Sequence, residues 1–251
     1  MLNFAKSAAQ GGLRRLGYTI QKTQPNQHRF PEIDVFSHLA RDLNSRRKGD
    51  VFVLQVGAND GVRADPVRPL VTEFPWHGLL IEPQPFVYQK LIENYAGYDR
   101  LQFADILISN NQESQATLFV PRAKLDEDRL RLTGLAGLER NSLVERMKQI
   151  GLGENDYTIE EITARSATLD DLLIERNVDR VDVLVIDAEG HDFNILTTLD
   201  FDRFKPSLIM MEFFHLSNAQ QGECLQFLSD RGFRMTKVLG DLVAADFAER
   251  A

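Results

Sequence analysis

"VFVLQVGANDG" (residues 51–61) is an apolar run that ends abruptly in small and polar residues between Gly57 and Gly61. A strand buried on both faces of a parallel sheet has this composition. The two glycines that follow permit positive φ and a close approach of backbone to a ligand, and the next helix start offers free N–H groups. The stretch therefore predicts a central strand feeding a ligand-holding turn.

The pattern recurs on both sides of it. Apolar runs at "HGLLIEP" (77–83), "LQFADILIS" (101–109), "VDVLVIDAEG" (181–190) and "PSLIMMEFFH" (206–215) alternate with segments of helical periodicity such as "PFVYQKLIENYAG" (85–97) and "AQQGECLQFLSDRGF" (219–233). "ATLFVP" (116–121) reads as pairing with or continuing the 101–109 strand, and "FRMTKVLG" (233–240) and "DLVAAD" (241–246) close the series. Strand and helix in alternation predict an α/β fold with right-handed crossovers and a mostly parallel sheet. "PEIDVFSHLARDLN" (31–44) predicts a helix covering that sheet, which divides the chain into an arm and helix over 1–48 and the main domain over 49–251. The charged stretch from about 122 to 156 shows no clear period and reads as an irregular insertion or lid.

Composition bounds the rest. A length of 251 residues with 43% hydrophobic content suits one α/β domain, and a net charge of −8 argues against broad electrostatic binding to nucleic acid. Cys224 is the single cysteine, which excludes an internal disulfide and a Cys-rich zinc site and fits a reducing, cytoplasmic setting. Nothing approaches the roughly 18 consecutive apolar residues of a membrane span, so a soluble chain is expected. The start, "MLNFAKSAAQGGLRRLGYTIQK" (1–22), lacks the apolar core of a secretory signal; it reads as a docking arm with at most weak peripheral membrane contact. His28, His38 and His77 have no partner pattern and read as structural, and Trp76 as packing beside the second strand.

Ligands of open α/β sheets bind beyond the carboxyl ends of the strands, so the polar residues ending each run are the candidates. They are the "GANDG" turn, Glu82 followed by Pro83, Asp105, the "DAEGHD" segment (187–192), and Glu212 with His215. Glu82 stands where an acidic residue accepts hydrogen bonds from two ribose hydroxyls, which points to an adenosine-type ligand. The third glycine of the dinucleotide fingerprint is missing, which disfavours an NAD-dependent dehydrogenase, and no phosphate-loop lysine follows. The clustered carboxylates Asp60, Asp65, Glu82, Asp105, Asp187 and Glu189, with Arg63 as the nearby cation, suit a sulfonium better than a pyrophosphate; some of them equally suit helix capping.

Several segments together carry a family resemblance. "VLQVGANDGVRADPVRPL" (53–70), "HGLLIEPQPFVYQKLIENY" (77–95), "TLDDLL" (168–173), "VDVLVIDAEGHDFNIL" (181–196), "KPSLIMMEFFHL" (205–216) and "RGFRMTKVLGDLVAAD" (231–246) resemble, in order, the motifs of the FkbM family of class I S-adenosylmethionine-dependent methyltransferases. "GLAG" (134–137) is similar to a small-residue stretch of that family, whereas "QESQ" (112–115) departs from its usual glycine turn. The resemblance implies a doubly wound, Rossmann-like, seven-stranded sheet with its last strand antiparallel and helices on both faces. It implies O-methylation of a hydroxyl on a sugar, glycan or glycosylated natural product, as in polysaccharide biosynthesis. By motif it places Gly57, Ala58, Asn59, Asp60 and Gly61 around the methionine part of S-adenosylmethionine and Glu82 on the ribose, with Pro83 among the cofactor-binding residues and Asp105 a looser candidate for the adenine.

Methyl transfer to a hydroxyl needs alignment and removal of a proton. The expected catalytic residues are Asp187, Glu189, His191, Glu212 and His215; a divalent ion such as Mg²⁺, if used, would take Asp187 and Glu212 as oxygen ligands. A non-catalytic cofactor- or glycan-binding module on the same fold is the competing reading. The acceptor, the general base and the oligomeric state are not encoded in any motif.

Overall fold

The computed structural model describes residues 34–110, 113–124, 132 and 135–248. The expected N-terminal docking arm and His28 lie outside these residues. Helix α1 (Val35–Arg46) is opened by Asp34, whose carboxylate accepts from the Ser37 amide at 3.0 Å, and it buries Phe36, Ala40 and Leu43 at helical spacing. The chain then runs through β1 (Phe52–Val56), α2 (Arg68–Glu73), β2 (His77–Ile81), α3 (Pro85–Asn94) and β3 (Leu101–Ala104). Next come β4 (Leu107–Ile108), β5 (Gln115–Ala123), α4 (Arg140–Gln149) and β6 (Tyr157–Ala167). It finishes with α5 (Leu169–Glu175), β7 (Val183–Ile186), α6 (Asp192–Leu196), α7 (Phe201–Phe204), β8 (Leu208–Glu212), α8 (Asn218–Asp230), β9 (Phe233–Val238) and β10 (Asp241–Asp246).

Seven strands form one sheet in the order β3-β2-β1-β7-β8-β10-β9. Every pairing from β3 to β8 is parallel, and β10 alone runs against its neighbours β8 and β9. Alternation along the strands builds two cores. Val53, Val183 and Val185 face α1, α2 and α3 through Phe36, Leu43, Leu70 and Leu91, while Leu54, Leu184 and Ile186 face Leu172, Leu196, Cys224 and Leu228. Helices therefore cover both faces of a doubly wound sheet. Among the described residues no helix is long and apolar enough to cross a membrane.

Two expectations about the middle of the chain are corrected. The run 101–109 is not one strand: it breaks after Ala104, and Leu107–Ile108 leaves the main sheet to pair with Ser166 and Ala167 of β6. Likewise 116–121 belongs to β5, which pairs antiparallel with β6 from Gln115↔Arg165 to Ala123↔Tyr157 in a separate three-stranded sheet. The 122–156 stretch is also less irregular than its sequence reads. It carries α4, whose Leu143 and Met147, four residues apart, pack with Leu132, Leu152 and Tyr157 in a small core of their own.

Trp76 is buried beside β2 as expected, and its indole N–H donates to Asn44 of α1 at 2.8 Å. Asp182, absent from the sequence reading, is fully buried at the other end of the sheet. Its Oδ2 accepts from the Phe52 amide and from Arg180 Nε, both at 2.8 Å, while Arg47 Nε lies 3.2 Å from Oδ1.

Gly57 is the tightest point of the fold. Its φ is +77°, and a Cβ there would fall 1.9 Å from the Asp187 carbonyl oxygen. Gly57→Ala is expected to cost at least about 3 kcal/mol in urea denaturation or to prevent folding. Gly97, also left-handed at φ +89° but with nothing within 4 Å of a Cβ, should lose only about 1 kcal/mol on the same change. Equal losses at the two positions would contradict this account.

Candidate functional site

Strands β1 and β7 lie side by side at the point where the sheet order reverses, and both end at the same edge. After β1 the amides of Gly57 and Ala58 donate to the Ile81 carbonyl at 3.0 and 2.9 Å, which folds the turn across the end of β2. Glu82 fastens it there. Its Oε2 accepts from the Asn59 amide at 3.0 Å and its Oε1 from the Gln84 amide at 2.9 Å, with the residue only 3% exposed. Asn59 is left-handed at φ +50°. After β7 the chain reverses through Glu189 (φ +57°) and Gly190 (φ +96°). Asp192, fully buried at the start of α6, accepts from the amides of Ala188 at 3.2 Å and Gly190 at 3.1 Å and so holds that reversal.

Between the two turns lies a cleft of about 660 Å³, part of it open to solvent. Gly57, Asn59, Glu82, Pro83, Asp187 and Glu189 line its polar side. Ile106, Leu107, Ile108, Leu118, Leu138 and Ile195 form an apolar slot opposite. A second cleft, of about 990 Å³, shares Gly57, Asn59, Asp187 and Glu189 with the first and continues past Ala58, Gln55 and Arg63 to Met210, Glu212 and Asp241.

Some residues expected at the ligand are placed elsewhere. Asp60 lines neither cleft; its Oδ1 accepts from the Val62 and Arg63 amides at 3.0 and 2.9 Å, so it shapes the turn from within. Gly61 also lies outside both linings and packs against Tyr95, where a Cβ would meet the ring at 2.3 Å. Asp105 is exposed, and the three residues after it supply the wall at the end of β3. Asp65 borders the second cleft, but its carboxylate is taken up by Gln55 Nε2 at 3.1 Å, the Val67 amide at 2.8 Å and Tyr95 OH at 2.8 Å.

Glu189, Glu212 and His215 gather beyond the ends of β7 and β8. His215 Nε2 lies 3.5 Å from Glu212 Oε1 and 3.9 Å from Glu189 Oε2, and one ligand atom from each residue falls within 4.8 Å of the others. His215 Nε2 and Glu212 Oε2 are buried without a hydrogen-bond partner. Asp187, expected beside Glu212 as an oxygen ligand, is not in this group. The reversal of the chain directly after β7 brings the carboxylate of Glu189 there instead, while Asp187 stays exposed to the cleft. His191 lines the first cleft and a groove under α4 that also reaches Glu189 and His215.

Arg146 of α4 ion-pairs with Glu189. Sequence reasoning missed it, because nothing local distinguishes a basic residue in the last turn of a helix from one that reaches a site. Gln55 was missed for a different reason. It interrupts an apolar strand, which is a usable signal, and its Oε1 is buried without a hydrogen-bond partner while the residue borders the second cleft.

Burial dominates the electrostatics here. It raises Glu82 and Asp192 to about 7, Glu189 to about 8 and Glu212 to about 9, with Asp187 adding repulsion to each and backbone N–H groups opposing at Glu82 and Asp192. Asp187 is itself raised by the protein around it and by Asp241. His215 is lowered to about 4 by burial and then by Arg146, and His191 is lowered by burial.

A seven-stranded sheet in this order, with its antiparallel last strand and two glycine-bearing turns at the switch point, defines a class I methyltransferase fold. Residues 55–235 match the model of the Methyltransferase FkbM domain, and the chain belongs to that family. Among solved structures, the FkbM methyltransferase of Methylobacillus flagellatus KT is similar at 13% identity and a TM-score of 0.47, over 78% of this chain and 44% of that one. The N-terminal domain of human METTL16 is similar at 11% and 0.45, over 92% and 76%. The Methanococcus jannaschii fibrillarin pre-rRNA processing protein is similar at 12% and 0.37, over 78% and 65%. The chain thus spans less than two thirds of two of these relatives. A sequence comparison with curated proteins gives no match.

The raised carboxyls set a pH dependence of stability. A carboxyl whose folded pKa exceeds its unfolded value contributes stability that is fully present below the unfolded pKa and is lost as pH rises through the folded one. For Glu82 that window runs from 4.5 to about 7, and for Glu212 from 4.5 to about 9. His215 acts oppositely but only below 6.5, where stability is lost as pH falls toward about 4. The ligand-free chain should therefore melt at a higher temperature at pH 6.5 than at pH 9 in scanning calorimetry; a higher melting temperature at pH 9 would contradict the burial assigned to these groups.

Proposed function

We propose that the chain is an S-adenosylmethionine-dependent O-methyltransferase acting on a hydroxyl of a sugar, a glycan or a glycosylated natural product. The observation that carries the cofactor half is the first cleft, whose lining combines apolar side chains, Ile106, Leu107 and Ile108 among them, with Glu82 and the glycine-bounded turn. Glu82 accepts from the Asn59 and Gln84 amides and from the Gln84 side chain, and the lone pair this leaves on its carboxylate would take a ribose hydroxyl. Carboxylates at the junction of the two clefts favour a sulfonium over a pyrophosphate.

The acceptor would lie in the second cleft, beyond Asp187 and Glu189, so that its oxygen meets the methyl carbon in line with the departing sulfur. The oxygen's electron pair forms the new C–O bond, the C–S bond breaks toward sulfur, and the hydroxyl proton must be released. The Glu189, Glu212 and His215 cluster stands where that release to water would be assisted. A saccharide suits this cleft because its border is rich in hydrogen-bonding groups, Gln55, Asn59, Arg63, Asp187, Glu212 and Asp241 among them. A reducing, cytoplasmic setting goes with the reading and is supported by the lone buried thiol of Cys224.

Calorimetry should detect S-adenosylmethionine binding that Glu82→Ala abolishes; unchanged binding in that variant would remove the ribose assignment. Incubating the protein with methyl-labelled cofactor and a glycan pool, followed by mass spectrometry, should place one labelled methyl group on a saccharide hydroxyl. Binding without transfer to any pool component would favour a non-catalytic cofactor-binding module.

A further inference from the structure

We propose that Glu189, Glu212 and His215 form a binding site for a first-row divalent transition-metal cation beside the second cleft. Three elements deliver the donors: the turn after β7, the end of β8 and the loop that follows it. Two ligands on one cation at about 2.0–2.2 Å stand roughly 3.0–3.5 Å apart. His215 Nε2 and Glu212 Oε1 are already 3.5 Å apart, and Glu189 Oε2 is 3.9 Å from the same nitrogen, so small rotations of the side chains complete the set.

The donor atoms are hard to explain otherwise. His215 Nε2 and Glu212 Oε2 are buried without a hydrogen-bond partner, an arrangement that disfavours the folded state unless something else engages them. Neither atom lies out in solvent, since the Glu212 and His215 side chains are only 12% and 20% exposed. An imidazole beside two carboxylates points away from Mg²⁺ and Ca²⁺, which take oxygen, and toward a transition metal that accepts both donor types. Three protein donors leave positions open for oxygen atoms of a substrate.

Arg146 is the cation that meets this cluster in the ligand-free protein, through its ion pair with Glu189. A divalent ion would compete with it. The guanidinium comes from α4 in the β5–β6 insertion, so ion binding would release Glu189 from that helix.

What the ion does for the reaction rests on the methyl-transfer reading. Coordinated to the acceptor oxygen, it lowers the hydroxyl pKa so that the proton passes to water in the cleft as the C–O bond forms and the C–S bond breaks. The ion is unchanged over the cycle.

The test titrates Mn²⁺ into the metal-stripped full chain and follows free ion by electron paramagnetic resonance. One equivalent should bind, and Glu212→Gln and His215→Ala should each weaken it by about tenfold or more. Arg146→Gln should instead tighten it, because a competitor is removed; circular dichroism of each variant confirms that it is folded. No binding by the folded full chain, or binding that His215→Ala leaves unaltered, overturns the site. S-adenosylmethionine binding, read separately by calorimetry on the same stripped protein, should persist without the metal, and its absence would count against the cofactor reading alone. Transfer that is lost on stripping and restored by Mn²⁺ supports the role; transfer indifferent to stripping overturns the role.

Discussion

The contact of the Gly57 backbone with the Asp187 main chain is the constraint on which the rest depends. The ends of β1 and β7 sit so close that a single added carbon would overlap the Asp187 carbonyl oxygen, and the Asp187 amide donates to the Val56 carbonyl at 3.0 Å. At that point the chain connections diverge, toward β2 and β3 on one side and β8 on the other. Each turn is then fixed by one buried carboxylate, Glu82 for the turn after β1 and Asp192 for the turn after β7. Both clefts border Gly57, Asn59, Asp187 and Glu189, so the same backbone geometry that reverses the sheet order also builds the junction where two ligands can meet.

That junction is electrostatically unfavourable in isolation. Glu82, Asp187, Glu189, Asp192 and Glu212 are all pushed up by loss of water, and four of them are pushed further by a like-charged neighbour within the same group. Arg146 is the cation that recurs as an opposing influence at Asp187, Glu189 and Glu212. A folded protein tolerates such a cluster because the two apolar cores on either side of the sheet supply the stability, and a cation bound there would offset the repulsion. Stability and binding thus pull in opposite directions at one sheet edge.

The main sheet was legible in the sequence because its strands are nearly continuous apolar runs and its helices carry an apolar stripe. β1, β2, β7 and β8 fall inside the quoted runs, and Glu82, Asp187, Glu189 and Glu212 follow directly from where those runs stop. The small sheet was not legible. β4 has two residues and is held by β6 far along the chain, and no local pattern announces a nonlocal pair. Asp60 and Asp65 illustrate a second limit. Both are acidic residues in the right turn, yet their oxygens serve backbone amides and Tyr95, a difference that residue type alone does not encode.

The insertion between β5 and β6 ties the two clefts together. Its segment 135–138 is pinned to β5 by paired backbone bonds between Phe119 and Gly137, at 2.9 and 3.0 Å, and lends Ala136, Gly137 and Leu138 to the first cleft and Leu135 to the second. One helix further on, Arg146 reaches Glu189. A segment that lines the first cleft and also pairs with a carboxylate of the second cannot move without altering both. Residues 135–149 therefore bear on both clefts: substitutions there change the shape of one and the charge of the other, while the glycine turn, Glu82 and Asp192 stay fixed by the sheet.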